Sequence, residues 1–310
     1  MTEGLKGRDF LTLMDFTADE IARIVDTAIE LKGMLDRREP HASLVGRTFA
    51  MIFEKKSTRT RTSFQAGAAH LGAQSFYMRP DEMQLGRGEP IKDTARVIDR
   101  YCDGLFIRTY DQSIVEEFAH YMEHPVINAL TDRFHPCQGL ADLMTIKQAK
   151  GSWEGLKLVY AGDPFNVCHS LLVSGAKLGF DVTVAVPDGY DPDPEIFRKA
   201  LQFAKESGAK LEISRDLSQS IVGADVVCAN TWHSMGRTDL DERRVAFRPF
   251  QVNEDVMARA KDDAIFMHCL PGYRGEEMTD GVIEGPQSAV WDEAENRMHT
   301  EKAVLTLFAA

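Results

Sequence analysis

Thr48-Phe-Ala-Met-Ile-Phe53, followed shortly by Ser57-Thr-Arg-Thr-Arg-Thr-Ser63, decides how this chain is organised. The first stretch is an unbroken apolar run of strand length, the signature of a strand buried on both faces. The second opens on a capping residue and continues as a helix, from about Thr58 to Leu71. A strand that runs directly into a helix is the unit of a parallel sheet. A helix starting at Ser57 turns its first N–H groups outward, and its dipole favours negative charge there. The hydroxyls of Ser57, Thr58 and Thr60 add short donors, and Arg59 adds a planar fork matched to phosphate oxygens. Taken alone, the segment reads equally as an ordinary N-cap followed by a solvated basic turn.

The same alternation runs outward in both directions. Thr17-Ala-Asp-Glu20 is a capping box, and the apolar spacing after it predicts a helix over Thr17–Arg38. Strands are predicted at Ser75–Met78, Gly104–Ile107 and Val126–Leu130, with helices at Ile91–Tyr101, Ser113–Met122 and Gln138–Lys150. A second series of strands follows at Lys157–Ala161, Val182–Val186, Lys210–Ile213, Val226–Cys228 and Ala264–Met267, and a last short strand at Ala289–Trp291. A final helix spans about Glu293 to Phe308. The expected fold class is α/β: two doubly wound parallel-sheet domains with helices on both faces, the C-terminal helix returning to the first domain. The expected domains are 1–150, completed by about 288–310, and 151–287; a chain of 310 residues is long enough for two.

Composition narrows the function. Hydrophobic residues make up 44% and charged residues 27%, as in an ordinary globular protein. A net charge of −12 argues against nucleic acid or an anionic membrane as partner, since both require a clustered basic face. No apolar run reaches the roughly 20 residues of a membrane-crossing helix. The N-terminal residues lack the apolar core of a signal peptide, and the five cysteines form no CxxC pair, so a reducing cytoplasm is the expected location and neither a disulfide framework nor a structural metal is expected.

The unusual polar clusters all follow predicted strands. In the first half these are Ser57–Thr62, Arg108 and His135-Pro-Cys-Gln138. In the second they are Asp163–Asn166, Asn230–Gly236 and His268-Cys-Leu-Pro271. Ligands of open α/β sheets bind at this carboxyl edge. Arg108 reads either as a helix-end or ion-pair arginine, or as a second guanidinium for a dianion. His135 and Gln138 together can hold a carbonyl oxygen and an NH₂ group, as a carbamoyl group presents them, and donors on that oxygen would stabilise an oxyanion. Cys269 is a small buried hydrophobe or a thiol that orients an incoming amine. Ser234 and Gly236 suit a binding loop, and Arg297 is either a solvated helix arginine or part of the site. Gly162–Asn166 lacks the GxGxxG spacing of a dinucleotide site.

Taken together these motifs resemble the transcarbamoylase family. Ser57-Thr-Arg-Thr60 is similar to its carbamoyl phosphate loop and His135-Pro-Cys-Gln138 to its HPxQ element. His268-Cys-Leu-Pro271, Ser234-Met-Gly236 and Asp292-Glu-Ala-Glu-Asn-Arg297 resemble elements of its ornithine branch. The aspartate branch would carry proline at position 269. The resemblance implies that Ser57, Thr58, Arg59, Thr60 and Arg108 bind the phosphate of carbamoyl phosphate, with His135 and Gln138 on its carbamoyl end and Arg297, Cys269 and Leu270 completing the site. It makes Cys269, His135 and Arg108 the catalytic group. Asn166, Asn230, Ser234 and Met235 would hold L-ornithine, Gln84 would reach a neighbouring subunit of a homotrimer, and no metal or cofactor is implied. The implied reaction yields citrulline and phosphate. Two positions depart from the pattern: Asn230 stands where the ornithine branch usually carries aspartate, and Phe165 replaces the first of two asparagines. Another amine, such as an acylornithine, lysine or putrescine, is therefore the alternative acceptor, and a non-catalytic carbamoyl phosphate-binding relative the third reading.

Overall fold

The computed structural model describes residues 4–234, 236 and 238–309. Its elements run in chain order as α1 (Ala18–Asp36), β1 (Thr48–Phe53), α2 (Arg59–His70), β2 (Gln74–Met78), α3 (Ile91–Ile98), β3 (Leu105–Arg108), α4 (Gln112–Tyr121), β4 (Val126–Leu130) and α5 (Pro136–Lys150). There follow β5 (Lys157–Ala161), α6 (Asn166–Leu178), β6 (Asp181–Ala185), α7 (Pro194–Ser207), β7 (Leu211–Ser214), α8 (Leu217–Ser220), β8 (Val226–Ala229), α9 (Leu240–Phe247), α10 (Glu254–Met257), β9 (Ile265–His268), α11 (Asp280–Ile283) and α12 (Val290–Ala309). The chain divides into two compact units: residues up to Met144 together with those from Glu295, and Thr145–Ala294.

The first unit holds a four-stranded sheet in the order β2-β1-β3-β4 and the second a five-stranded sheet in the order β7-β6-β5-β8-β9. Every pairing in both is parallel. The central strands are buried along almost their whole length, which is why they read as continuous apolar runs; the edge strands β2 and β7 are partly exposed. Each sheet has one switch point, where the chain leaves a growing edge and resumes beside its first strand. In the first unit it lies between β1 and β3, and in the second between β5 and β8. These are the crevices that such sheets use for ligands.

Packing fixes α2 at the first switch point. Phe64 stacks on Phe106 of β3 with ring centroids 4.0 Å apart, and Phe106 stacks in turn on Phe49 of β1. On its other side α2 meets α12, where a Cβ on Gly67 would lie 3.2 Å from Lys302 Cγ and 3.4 Å from the Met298 carbonyl. Glycine therefore lets the two helices approach closely. Further along α12, Phe308 packs edge-on against Phe10 and Phe16. The capping box at Thr17 and Glu20 forms as the sequence predicts, with both reciprocal bonds present.

The strand predicted at Ala289–Trp291 is corrected. Sheet pairing here is a single bridge, Phe266 to Ser288, closed by the Ala289 N–H on the Phe266 carbonyl. The chain then turns at once into α12, whose first bond runs from the Glu293 N–H to the Ala289 carbonyl. Three apolar residues suit a strand and a buried helix start equally, and length alone does not separate them. Among the described residues no helix is long and apolar enough to cross a membrane.

Gly162, directly after β5, has φ +146, and a Cβ there would lie 2.3 Å from the Asn230 carbonyl oxygen. Only glycine permits this approach of the β5 and β8 loops. Gly162→Ala is expected to cost on the order of 2–4 kcal/mol of stability; a denaturant melt within 0.5 kcal/mol of the parent, about the size of a neutral surface change, would contradict the close approach.

Candidate active site

In the first unit, four sequence-distant segments meet at the carboxyl edge. Ser57 Oγ accepts the Thr60 N–H at 3.2 Å, so the serine does cap the first turn of α2. Arg108 is the last residue of β3 and is buried. His135 immediately precedes α5, its carbonyl taking the N–H groups of Gln138 and Gly139. Arg297 reaches in from α12, where it is 3% exposed. Its Nη1 donates to Gln138 Oε1 at 2.9 Å, while Nη2 donates to Thr60 Oγ1 and to Glu301 Oε1, each at 3.1 Å.

Burial pushes the His135 imidazole well below its ordinary value, and the fields of Arg297, Arg108 and Arg59 push it the same way. The fields of three guanidiniums, on α2, β3 and α12, thus act with burial to favour the neutral imidazole. A neutral ring keeps one N–H to donate, and the three cations suit a ligand with two negative charges. The Gln138 side chain is oriented at both ends, since its Nε2 donates to Asp142 Oδ1 at 2.8 Å while Oε1 faces Arg297. This arrangement presents the amide oxygen, an acceptor, to the cluster.

Sequence reasoning missed several parts of this site. Lys55, between β1 and α2, is buried with its amine 3.8 Å from the Tyr110 ring centroid. Burial, and then the charge of Arg108, lower it to about 8. Asp142 and Glu301 each lie four residues beyond a recognised residue on the same helix, Gln138 and Arg297, and that spacing was the available signal. Gln84, by contrast, is exposed on a 3-10 turn, Gln84–Arg87.

The second unit gathers its residues at its own switch point. Asn166 begins α6 and is buried, as are Asn230 and Ser234 beyond the end of β8. Asn230 is held on every side: Nδ2 donates to the Tyr160 hydroxyl at 3.0 Å, and Oδ1 accepts the Thr231 N–H at 2.9 Å and the Cys269 thiol at 3.4 Å. The Tyr160 hydroxyl donates onward to the Asp163 carbonyl at 2.6 Å. Met235 lies outside the described residues.

The turn after β9 is braced from behind. Leu270 has φ +57, an unusual conformation for a residue with a side chain. Its N–H donates to His268 Nδ1 at 2.9 Å, so Nε2 is the protonated nitrogen and bonds Glu277 Oε1 at 3.1 Å. Glu277 Oε1 also accepts the Tyr273 N–H. The loop after β8 is clamped by Arg243, another residue the sequence did not single out. Its guanidinium meets Asp163 at 3.0 Å and Asp239 at 3.1 Å and donates to the Trp232 carbonyl. Among the described residues no group of three or more His, Cys, Asp or Glu is placed to hold a metal ion.

Comparison with known proteins bears directly on this arrangement. Residues 8–148 match the carbamoyl-P binding domain of aspartate/ornithine carbamoyltransferase, and residues 154–308 match the Asp/Orn binding domain. The chain belongs to the aspartate/ornithine carbamoyltransferase family. It is 52% identical to the ornithine carbamoyltransferase of Pyrococcus abyssi over 99% of this chain and 97% of that one. It is also 52% identical to the anabolic ornithine carbamoyltransferase of Pyrococcus furiosus, covering 99% and 98% of the two chains. Among solved structures, ornithine carbamoyltransferase from Pyrococcus furiosus superposes with a TM-score of 0.95 over 98% of each chain, at 52% identity. The anabolic enzyme from Campylobacter jejuni gives 0.90 at 40% identity, over 96% of this chain and 97% of that one.

His135 is expected to stay neutral through the physiological range. Its imidazole signals should not titrate between about pH 5.5 and 8 in an NMR series, since its ordinary value near 6.5 is displaced downward. A transition centred near 6.5 would show that the three arginines do not bear on it.

Proposed function

We propose that the chain transfers the carbamoyl group of carbamoyl phosphate to the δ-amine of L-ornithine, giving citrulline and phosphate. The observation that carries this reading is the convergence of Arg59, Arg108 and Arg297 on a neutral His135 beside an oriented Gln138. Full-length kinship with proteins that carry the ornithine name supports the acceptor.

In this reading Ser57, Thr58, Arg59, Thr60, Arg108 and Arg297 take the phosphoryl oxygens at the N-terminus of α2, where the helix dipole favours an anion. The His135 N–H donates to the carbamoyl oxygen, and Gln138 Oε1 accepts from the carbamoyl NH₂. The δ-amine adds to the carbamoyl carbon, and the developing oxyanion is held by donors already in place. The carbon–oxygen bond to phosphate then breaks, its electrons leaving with the phosphate, and the amine loses a proton. The leaving group is activated beforehand, so positioning and charge supply the catalysis. In the second unit Asn166, Asn230, Ser234 and Met235 hold ornithine, and the Cys269 thiol orients the amine. Gln84 serves a neighbouring subunit of a homotrimer, and the enzyme works in the cytoplasm, in arginine biosynthesis.

One observation favours a different amine. Both ends of the Asn230 amide are engaged inside the protein, by Tyr160, Thr231 and Cys269, and the group carries no charge. A cationic substrate group gains less from it than from a carboxylate, which would add an opposite charge to the bond.

Offering carbamoyl phosphate with ornithine, acetylornithine, lysine, putrescine and aspartate in parallel tests the assignment. Citrulline from ornithine is expected as the dominant product. Preference for another amine would move the acceptor and keep the carbamoyl chemistry, and absence of turnover with all five would overturn the enzymatic reading.

A further inference from the structure

Glu301 is an ionisable group that the reaction above does not use. It lies one turn beyond Arg297 on α12, is 1% exposed, and accepts from Arg297 Nη2 through Oε1. The same Nη2 donates to Thr60 Oγ1. Among the described residues Glu301 Oε2 has no hydrogen-bond partner, the nearby Ser63 hydroxyl donating to the Thr60 carbonyl at 3.2 Å. A buried carboxylate with half its acceptor capacity unmet is costly to ionise, and a single ion pair offsets this only in part. Three groups face it: Arg297 on its own helix, the Ser63 hydroxyl from α2 and the Cys137 thiol from α5. Burial outweighs the pull of Arg297 and Ser63, and the carboxyl is raised to about 7.

Arg297 is therefore shared. Its guanidinium serves the cluster formed with Arg59 and Arg108, and it also serves a carboxylate on its far side. An incoming dianion and an ionised Glu301 compete for the same positive charge and repel one another. We propose that Glu301 is a positioning residue that aims Arg297 toward Gln138 and Thr60, and that binding of a phosphoryl dianion drives Glu301 into its neutral form with uptake of a proton. The inference rests on the reading of this cluster as the phosphoryl site.

The direction follows from linkage. The bound state holds the proton more tightly than the free protein, so affinity is greatest below neutrality and falls as pH rises through about 7. Glutamine keeps an oxygen for Arg297 but cannot ionise, so E301Q stays in the state that the dianion prefers. E301Q should match the parent at pH 6 and bind more tightly at pH 8.5. The gain there is roughly three- to tenfold, the change expected if the anion raises the carboxyl by half to one pH unit.

Titration calorimetry of the full chain with phosphonoacetamide, a non-hydrolysable phosphonate bearing a carboxamide, reads this directly. Repeating it near pH 7.5 in buffers of different ionisation enthalpy gives the number of protons taken up. The ligand's own ionisation contributes to parent and variant alike and cancels in the difference. Greater uptake by the parent than by E301Q, with the affinity gap opening only at high pH, is the expected result. Equal uptake and parallel affinities would overturn the role of Glu301 while leaving the phosphoryl site intact. Failure of both proteins to bind the phosphonate would sink the phosphoryl reading and this inference with it. Should E301Q not fold, the carboxyl ¹³C signal of Glu301 in the parent decides: at pH 7.5 it should shift toward the protonated value on ligand addition, and an unmoved signal would refute the coupling.

Discussion

The buried guanidinium of Arg297 is the interaction on which the first unit's site depends. A charge at 3% exposure is costly unless it is partnered, and here Nη1 and Nη2 donate to Gln138, Thr60 and Glu301, while Nε has no partner among the described residues. Those partners come from α5, α2 and α12 itself. One side chain thus ties together the first turn of α2, the Gln138 amide and the returning C-terminal helix. Its reach depends on the close packing of α2 and α12 at Gly67, and on Phe64 and Phe106 holding α2 against the sheet. Planar geometry matters as much as charge, since a lysine in this position has no fork to serve three acceptors at once.

The second unit reaches its arrangement by another route. Its residues are set by backbone geometry at the β5/β8 switch point, where Gly162 lets the Asn230 carbonyl approach. Buried polar side chains then brace the loops from behind: Arg243 beneath the loop bearing Ser234, and His268 with Glu277 beneath the turn bearing Cys269 and Leu270. Rigid support of this kind keeps a positive-φ residue such as Leu270 in place.

Much of the fold was legible because strands buried on both faces leave a plain mark. The runs at 48–53, 126–130 and 157–161 coincide with β1, β4 and β5 to the residue. The start of α12 misled because Ala289-Val-Trp291 is too short for its period to show. Within the site, residues that carry a motif, such as Ser57, Arg59, His135 and Gln138, could be named from sequence. Lys55 could not, because its meaning lies in the Tyr110 ring beneath it and in the neighbouring Arg108. Arg243 offered only the four-residue offset from Asp239 as a local signal, and its other partner, Asp163, is far away in the chain. Asp142 and Glu301 were readable in principle from their four-residue offsets, yet a carboxylate at that spacing on a helix is usually solvated.

On the proposed reading a dianion is held by guanidinium geometry around Arg297 in the first unit, while the amine is held by other residues. Steady-state kinetics of R297K, with each substrate varied in turn, tests it most directly. KM for carbamoyl phosphate should rise by roughly ten- to a hundredfold, the equivalent of a lost charge-assisted fork, with KM for ornithine close to the parent value. An unchanged KM for carbamoyl phosphate, or a rise confined to ornithine, would contradict it.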